Sequence, residues 1–430
     1  MFNMSEEPIK VEALAKKKEK EKIEVTPRSS KYQWYIVVFM GLVGLMDNNL
    51  NLMEAVAIVG IRDQYGLSPG EFAFWQGIFG IITFLVFFVA WFSDAFGRKK
   101  GVLFLMLLMG IPAFLMPFLA PFSVWIFWIL YAIIITGTLS NMWEIPVAEE
   151  ADPKKRGLLG GIATLISLIP VYAIFGEDIE EAFGWEWTYG IFFFFMLGLM
   201  VLWFFMKEPE RWSKTHEERG FQKLKIREAL KKITKTDAIY IIISTIVYGI
   251  WAIAFKFGTS WGETYYVEVN TAFASNWKTI LLIGGLLILV GALISGILMD
   301  KVSRKATLIL GCLGSITGFI LMGLWGHPIA FWMLYLFMPV VFTWIMVYFA
   351  EVYRTEIRST ATGIAATGAR ASYVLGPLLA FALFEISPDM VIFWIVPGFL
   401  MIIPLLCLLL KPYETKGQTL EDIEIEREKR

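Results

Sequence analysis

Cysteine and histidine are nearly missing from this chain, with two of each in 430 residues. Cys312 and Cys407 both lie in long apolar runs, which excludes a disulfide-stapled scaffold and leaves too few thiols for a zinc site. His216 and His327 offer little for metal or Ser–His chemistry. Charge is scarce too: Asp, Glu, Lys and Arg make up 18% of residues, against about 25% in an average soluble domain. The formal net charge is −1, so no basic field marks a nucleic-acid partner. No Gly-x-x-x-x-Gly-Lys loop occurs, which argues against a nucleotide-driven pump. No nucleophile–base pair or metal-ligand spacing stands out either. An enzyme, a metal and a cofactor are therefore not expected.

What is abundant is apolar surface. Hydrophobic residues make up 57% of the chain and aromatics 16%, with a mean hydropathy of +0.62. A soluble protein of this length would have roughly three domains and could not hide so much of it. Runs of about 20 apolar residues, the length that crosses a bilayer, centre near 34–59, 72–93, 102–121, 123–147, 158–176 and 187–206. They resume near 238–262, 277–299, 306–325, 329–350, 360–384 and 390–410. The expected fold is an all-α integral membrane protein of twelve spans in two pseudo-symmetric six-helix bundles. Residues 1–31 hold no apolar run and are rich in Lys and Glu, so they read as a solvated, disordered arm and not a signal peptide.

Lys and Arg test this layout, because they gather on the cytoplasmic side of membrane proteins. With the N-terminus inside, 34 of the 38 fall in the arm, the tail and the loops of one side. Only Arg62 and Lys278 lie on the other side, and Lys256 and Arg370 lie within spans. The expected location is the plasma membrane, multi-pass, with both termini cytoplasmic.

The chain also repeats itself. Asp94-x-x-x-Arg98 after span two recurs as Asp300-x-x-x-Arg304 after span eight. Glu150 through Arg156 after span four has a counterpart in Glu351 through Arg358 after span ten, and Lys207-Glu208-Pro209 has one in Lys411-Pro412-Tyr413-Glu414. The organisation read from this is an arm (1–31), a first bundle (32–206), a linker (207–237), a second bundle (238–410) and a tail (411–430). Within the linker, 221–230 has basic amphipathic spacing suited to the membrane surface. Parallel six-helix repeats around a midplane site are one plan of secondary transporters.

Asp94-x-x-x-Arg98-Lys99 with Gly97 resembles the signature loop of the major facilitator superfamily. Glu150-x-x-Pro153-x-x-Arg156-Gly157, Pro209-Glu210-Arg211-Trp212, Glu351 through Arg358 and Pro412 through Gly417 resemble its sugar-porter and organic-ion group. The resemblance implies a carrier of small solutes that rocks two bundles about a central site. It also implies gating roles for Asp94, Arg98, Glu150, Arg156, Asp300, Arg304, Glu351 and Arg358. Span five has no glutamine, and span seven carries Lys256 near where sugar porters carry amides. With Arg370 in span eleven, this is more similar to the organic-anion carriers.

Ionisable groups inside spans are rare and usually functional. Arg370 lies about ten residues into span eleven, about 15 Å deep and near the midplane. It is a fixed cation whose planar fork suits a carboxylate, although an internal pair with Asp47 would also account for it. Lys256 could contact substrate or snorkel to the interface. Asp47-Asn48-Asn49-x-Asn51 puts four polar side chains on one membrane helix, which cannot all face lipid. Asp47, Glu54 and Glu144 are the candidate proton carriers. Asn48, Asn141, Trp344 and Tyr348 join Lys256 and Arg370 as candidate substrate contacts. The expected function is proton-coupled transport of a carboxylate-bearing metabolite by a monomer whose partners are its solute, protons and lipid. A sugar carrier, a cationic-drug exporter and a transporter-like solute sensor remain alternatives. Cysteines placed at Lys10 or Gln418 should react with an impermeant maleimide only in permeabilised cells; labelling of intact cells would reverse the orientation.

Overall fold

The computed structural model describes residues 28–410 apart from 139, 141, 152–154, 211, 214–232 and 354–357. The tail, the 221–230 segment, Asn141 and most of the arm lie outside these, as do the side chains of Asp94, Arg156, Glu351 and Arg358. Among the described residues the regular structure is helical, without strands. Eleven helical stretches are long and apolar enough to cross a membrane, and Val124–Gly137 is a shorter apolar helix in the place of span four. Phe88, Phe204, Ile297 and other large apolar side chains are exposed on the outside, the inverse of a soluble surface.

Packing follows the repeat. In the first half, span one (Ser30–Leu52) packs on span five (Arg156–Ser167), and span three (Arg98–Leu119) on spans four and six (Trp185–Phe205). In the second half, span seven (Lys235–Ser260) packs on span eleven (Arg358–Ala369). Span nine (Arg304–Leu324) packs on span ten (Pro328–Val352) and span twelve (Val391–Leu400).

Several spans are broken, and the breaks position the site. Pro170 has no N–H to continue span five, which stops at Ser167 and restarts at Val171. The freed groups find the asparagines of span one. Asn49 donates to the Ile169 carbonyl at 3.0 Å and accepts from the Tyr172 N–H at 2.9 Å. Asn48 donates to the Ser167 carbonyl at 3.2 Å and its hydroxyl at 3.1 Å. Polar side chains of one span thus satisfy the backbone of another, as hydrocarbon requires. Span one breaks at Met53 and continues as Glu54–Tyr65. Span eleven breaks at Arg370–Ala371 and continues as Ser372–Ile386.

The end of the molecule carrying Arg28, Arg98 and Lys207 is its basic end. At the opposite, far end the halves are in close contact. The first helix of span two, Pro69–Gly80, lies along Ser372–Ile386, and Glu54–Tyr65 lies against Gly262–Thr264. Pro377 cannot donate to the Tyr373 carbonyl, and that oxygen points at Gly80, where a Cβ would sit only 2.2 Å away. Gly80 therefore lets the halves meet backbone to side. Gly80→Ala should lower the apparent melting temperature in detergent by the equivalent of about 1–3 kcal/mol, the usual consequence of overpacking. Gly198→Ala, with open space around the added methyl, should leave it unchanged.

Candidate functional site

Between the halves lies a cavity of about 50 Å³, whose walls differ in character. Spans one and five contribute Asn48, Asn51 and Ser167; spans seven and ten contribute Trp251, Phe255, Phe342 and Thr343. The rings form a continuous stack. Trp251 lies 4.8 Å from Phe255 and 4.7 Å from Phe342, at interplanar angles of 16° and 23°. The Trp251 indole N–H is fixed by the Met338 carbonyl at 2.8 Å. Occupied ligand pockets are commonly about 300–1,000 Å³, so the halves are drawn together around this space.

Toward the far end, Glu54 collects donors from both halves. Its Oε1 accepts from the Tyr131 hydroxyl and from Lys256 Nζ at 3.2 Å, and its Oε2 from the Ser260 hydroxyl at 2.6 Å. Gln76 donates to the Tyr131 oxygen at 3.0 Å. Lys256 also donates to the Asn51 carbonyl at 2.9 Å, and the Tyr373 hydroxyl to the Asn51 side chain at 3.1 Å. Glu54 is 1% exposed and Lys256 12%. A second cavity of about 10 Å³, room for about one water, touches Gln76, Tyr131, Lys256 and Tyr373.

Arg370 has a use that its sequence position does not suggest. Its guanidinium donates to the carbonyls of Thr138 at 2.7 Å and Ile135 at 3.4 Å, and lies 5.3 Å from the Tyr373 ring centre. These carbonyls end the Val124–Gly137 helix, where the last C=O groups lack intrahelical partners and a cation is favoured. Arg370 thus caps a helix of the opposite half. Asp47 is buried, and it shares the electrostatic neighbourhood of Tyr248 with Glu144 and Arg370. Asn48 lines the larger cavity. Trp344 and Tyr348 stack on each other at 4.5 Å, are both buried, and line neither cavity.

At the basic end, Arg98 pairs with Glu149 at 3.2 Å, and Glu208 accepts from the Arg98 and Lys99 backbone N–H groups at the start of span three. Burial raises the Glu208 carboxyl above its ordinary range against the pull of those N–H groups. Glu150 pairs with Arg28 at 3.1 Å, and burial, outweighing that cation, pushes its carboxyl up to about 7. Arg28, placed by composition in a solvated arm, also donates to the Glu208 carbonyl at 2.8 Å. Asp300 and Arg304 pair at 3.3 Å within one loop. The residues missed from sequence are Gln76, Tyr131, Trp251, Ser260 and Tyr373. Lone polar or aromatic positions in apolar spans carry no signal that separates them from packing.

The far end holds two further ties between halves. Arg62 grips Glu268 with both guanidinium branches, at 2.8 and 3.2 Å, and exposed Lys278 pairs with Asp178. Breaking one side of a buried pair leaves a naked charge, whereas replacing both sides with apolar groups does not. Glu54→Ala should destabilise the purified protein by about 3–5 kcal/mol. Glu54→Leu with Lys256→Met should recover most of that loss, and Lys278→Ala should be indistinguishable from wild type in the same unfolding assay.

A sequence profile described as Major Facilitator Superfamily matches residues 37–350 and, again, 280–429. The chain is 23% identical over 386 residues to the glucose transporter GlcP of Staphylococcus epidermidis, an alignment spanning 79% of this chain and 84% of that protein. Its fold is similar to that of the proton:xylose symporter XylE bound to 6-bromo-6-deoxy-D-glucose, with a TM-score of 0.65 at 18% identity, covering 93% of this chain and 100% of that one. It is similar also to a partially occluded inward open conformation of the xylose transporter XylE from E. coli, with a TM-score of 0.65 at 18% identity and coverage of 91% and 100%.

Proposed function

The chain belongs to the Major Facilitator Superfamily, a family of membrane transporters and not of enzymes, and from that premise we propose that it carries a small polyhydroxylated solute of sugar size together with protons. The observation that carries this reading is the two-faced cavity. Amides and hydroxyls on one wall, Asn48, Asn51 and Ser167, suit the hydroxyls of a sugar ring. The Trp251–Phe255–Phe342 stack on the other suits its C–H face. The names of the similar proteins, a glucose transporter and a proton:xylose symporter, point the same way.

The two intramembrane cations were the reason to expect a carboxylate-bearing solute. Lys256 is engaged by Glu54 and Arg370 by two carbonyls, so neither calls for an external anion. With the basic end in the cytoplasm, as the distribution of Lys and Arg suggests, the closed far end is the outer gate. Asp47, Glu54 and Glu144 supply carboxyl groups along the route for a co-transported proton.

Proteoliposomes holding the purified protein should accumulate labelled D-glucose or D-xylose under an inward proton gradient, and unlabelled organic acids should not compete. Uptake of an organic acid in place of either sugar would refute the reading. Trp251→Ala should weaken sugar binding about tenfold, corresponding to about 1.4 kcal/mol of lost stacking. Because this ring is buried and hydrogen-bonded to the Met338 carbonyl, the substitution should also destabilise the sugar-free protein by about 3–5 kcal/mol.

A further inference from the structure

Four cations lie away from the basic end, and each binds across the halves: Arg62 to Glu268, Lys278 to Asp178, Lys256 to Glu54, and Arg370 to the carbonyls of span four. The Lys256–Glu54 pair is the most buried of the three ion pairs, with side-chain exposures of 12% and 1%, and it adjoins the solute cavity through Asn51. Its partners divide cleanly between the halves. Glu54 and Tyr131 belong to the first; Lys256 and Ser260 belong to the second. When the far end parts, Glu54 keeps Tyr131, loses Lys256 and Ser260, and its charge is left without a cation inside a membrane protein.

We infer that Lys256 and a proton compete for Glu54, so that closing the far end expels a proton from this carboxyl and opening takes one up. The exchange balances: the neutral acid gives its proton to water, and the resulting carboxylate accepts the ammonium of Lys256. The cavity touching Tyr131, Lys256 and Tyr373 has room for a water at that point. This deepens the proton coupling proposed above and rests on it.

Other titratable groups face the same helix. Tyr131, Tyr189 and Tyr373 approach Glu54 from spans four, six and eleven, and Asp47 and Arg370 act on Tyr373 from further in. Further out, Arg62 holds Glu268, and Glu263 accepts from the Val59 N–H at 3.4 Å. Carboxylate oxygens of Glu263, Glu177 and Glu180 lie within 4.8 Å of one another, the first from one half and the others from its mate. Burial, then Glu180 and Glu177, raise the Glu263 carboxyl well above its ordinary range. A raised carboxyl favours the closed arrangement at low pH and loses that contribution as pH rises through its folded value. Glu54 has the opposite sign, because its pair with Lys256 is made only when it has lost its proton. The two contributions are therefore separable by mutation.

The test is a distance measurement on substrate-free protein. Spin labels go on cysteines at Asp63 and Ala272, exposed on the two sides of the far end, in a Cys312→Ser, Cys407→Ser, Glu263→Gln background. Between pH 8 and pH 5 the open-to-closed ratio should rise by up to tenfold per pH unit, the limit for one proton. Glu54→Gln should be shifted toward open and lose the slope. Lys256→Gln should shift the same way, and Lys256→Arg should retain closure and slope. An unchanged slope in Glu54→Gln, or no slope in the background protein, would overturn the inference. Should Glu54→Gln fail to fold, the Lys256→Gln and Lys256→Arg pair decides alone: equal slopes in both would sink it. The measurement needs no substrate, so a slope with no sugar uptake fails only the substrate assignment. Sugar–proton uptake without the slope fails only the role of Glu54.

Discussion

The aversion of a membrane interior to uncompensated charge is the constraint on which the rest of this structure depends. Among the described residues Lys and Arg gather at one end, and the four that lie elsewhere each have a partner in the opposite half. The exposure of the carboxylate partner falls from 55% at Asp178, through 33% at Glu268, to 1% at Glu54. Surface pairs contribute little to stability, while a buried pair is intolerant of losing one member. The innermost contact is therefore the one whose state the two halves must share.

The same constraint governs the backbone. A proline in a span frees polar groups that lipid cannot satisfy. Pro170 does so in span five, and Asn48 and Asn49 answer from span one. Pro377 does so in span eleven, where the freed carbonyl of Tyr373 lies against Gly80. Val124–Gly137 ends early, and Arg370 caps it. The repair at Pro170 lines the larger cavity through Asn48, Asn49 and Ser167, and the break at Pro377 lines the smaller one through Gly80 and Tyr373. The irregular backbone thus supplies the polar wall, while unbroken spans seven and ten supply the aromatic wall.

Local features were legible where their physics is local. The cluster Asp47-Asn48-Asn49-x-Asn51 announced that span one must have polar partners, since four such side chains cannot all face lipid. Which partners it has depends on a neighbour about 120 residues away. Arg370 was legible as a midplane cation, yet its carbonyl partners were hidden, because an interrupted helix in span four leaves no unambiguous mark in an apolar run. Arg28 looked solvated by composition, and only its proximity to Glu150, Glu210 and the Glu208 carbonyl shows it is held.

The sequence by itself determined the twelve-span plan, its internal repeat and the end on which positive charge collects. Span length answers to bilayer thickness, and loop charge is counted without knowing any angle between helices. Only the tertiary structure decided which charge meets which, because partners about 200 residues apart are set by how two bundles are tilted against each other. That tilt turned Lys256 and Arg370 from apparent anion receptors into ties between halves. It also brought Trp251 and Phe342 face to face with the asparagines of span one, since a cavity between packed bundles belongs to neither sequence segment alone.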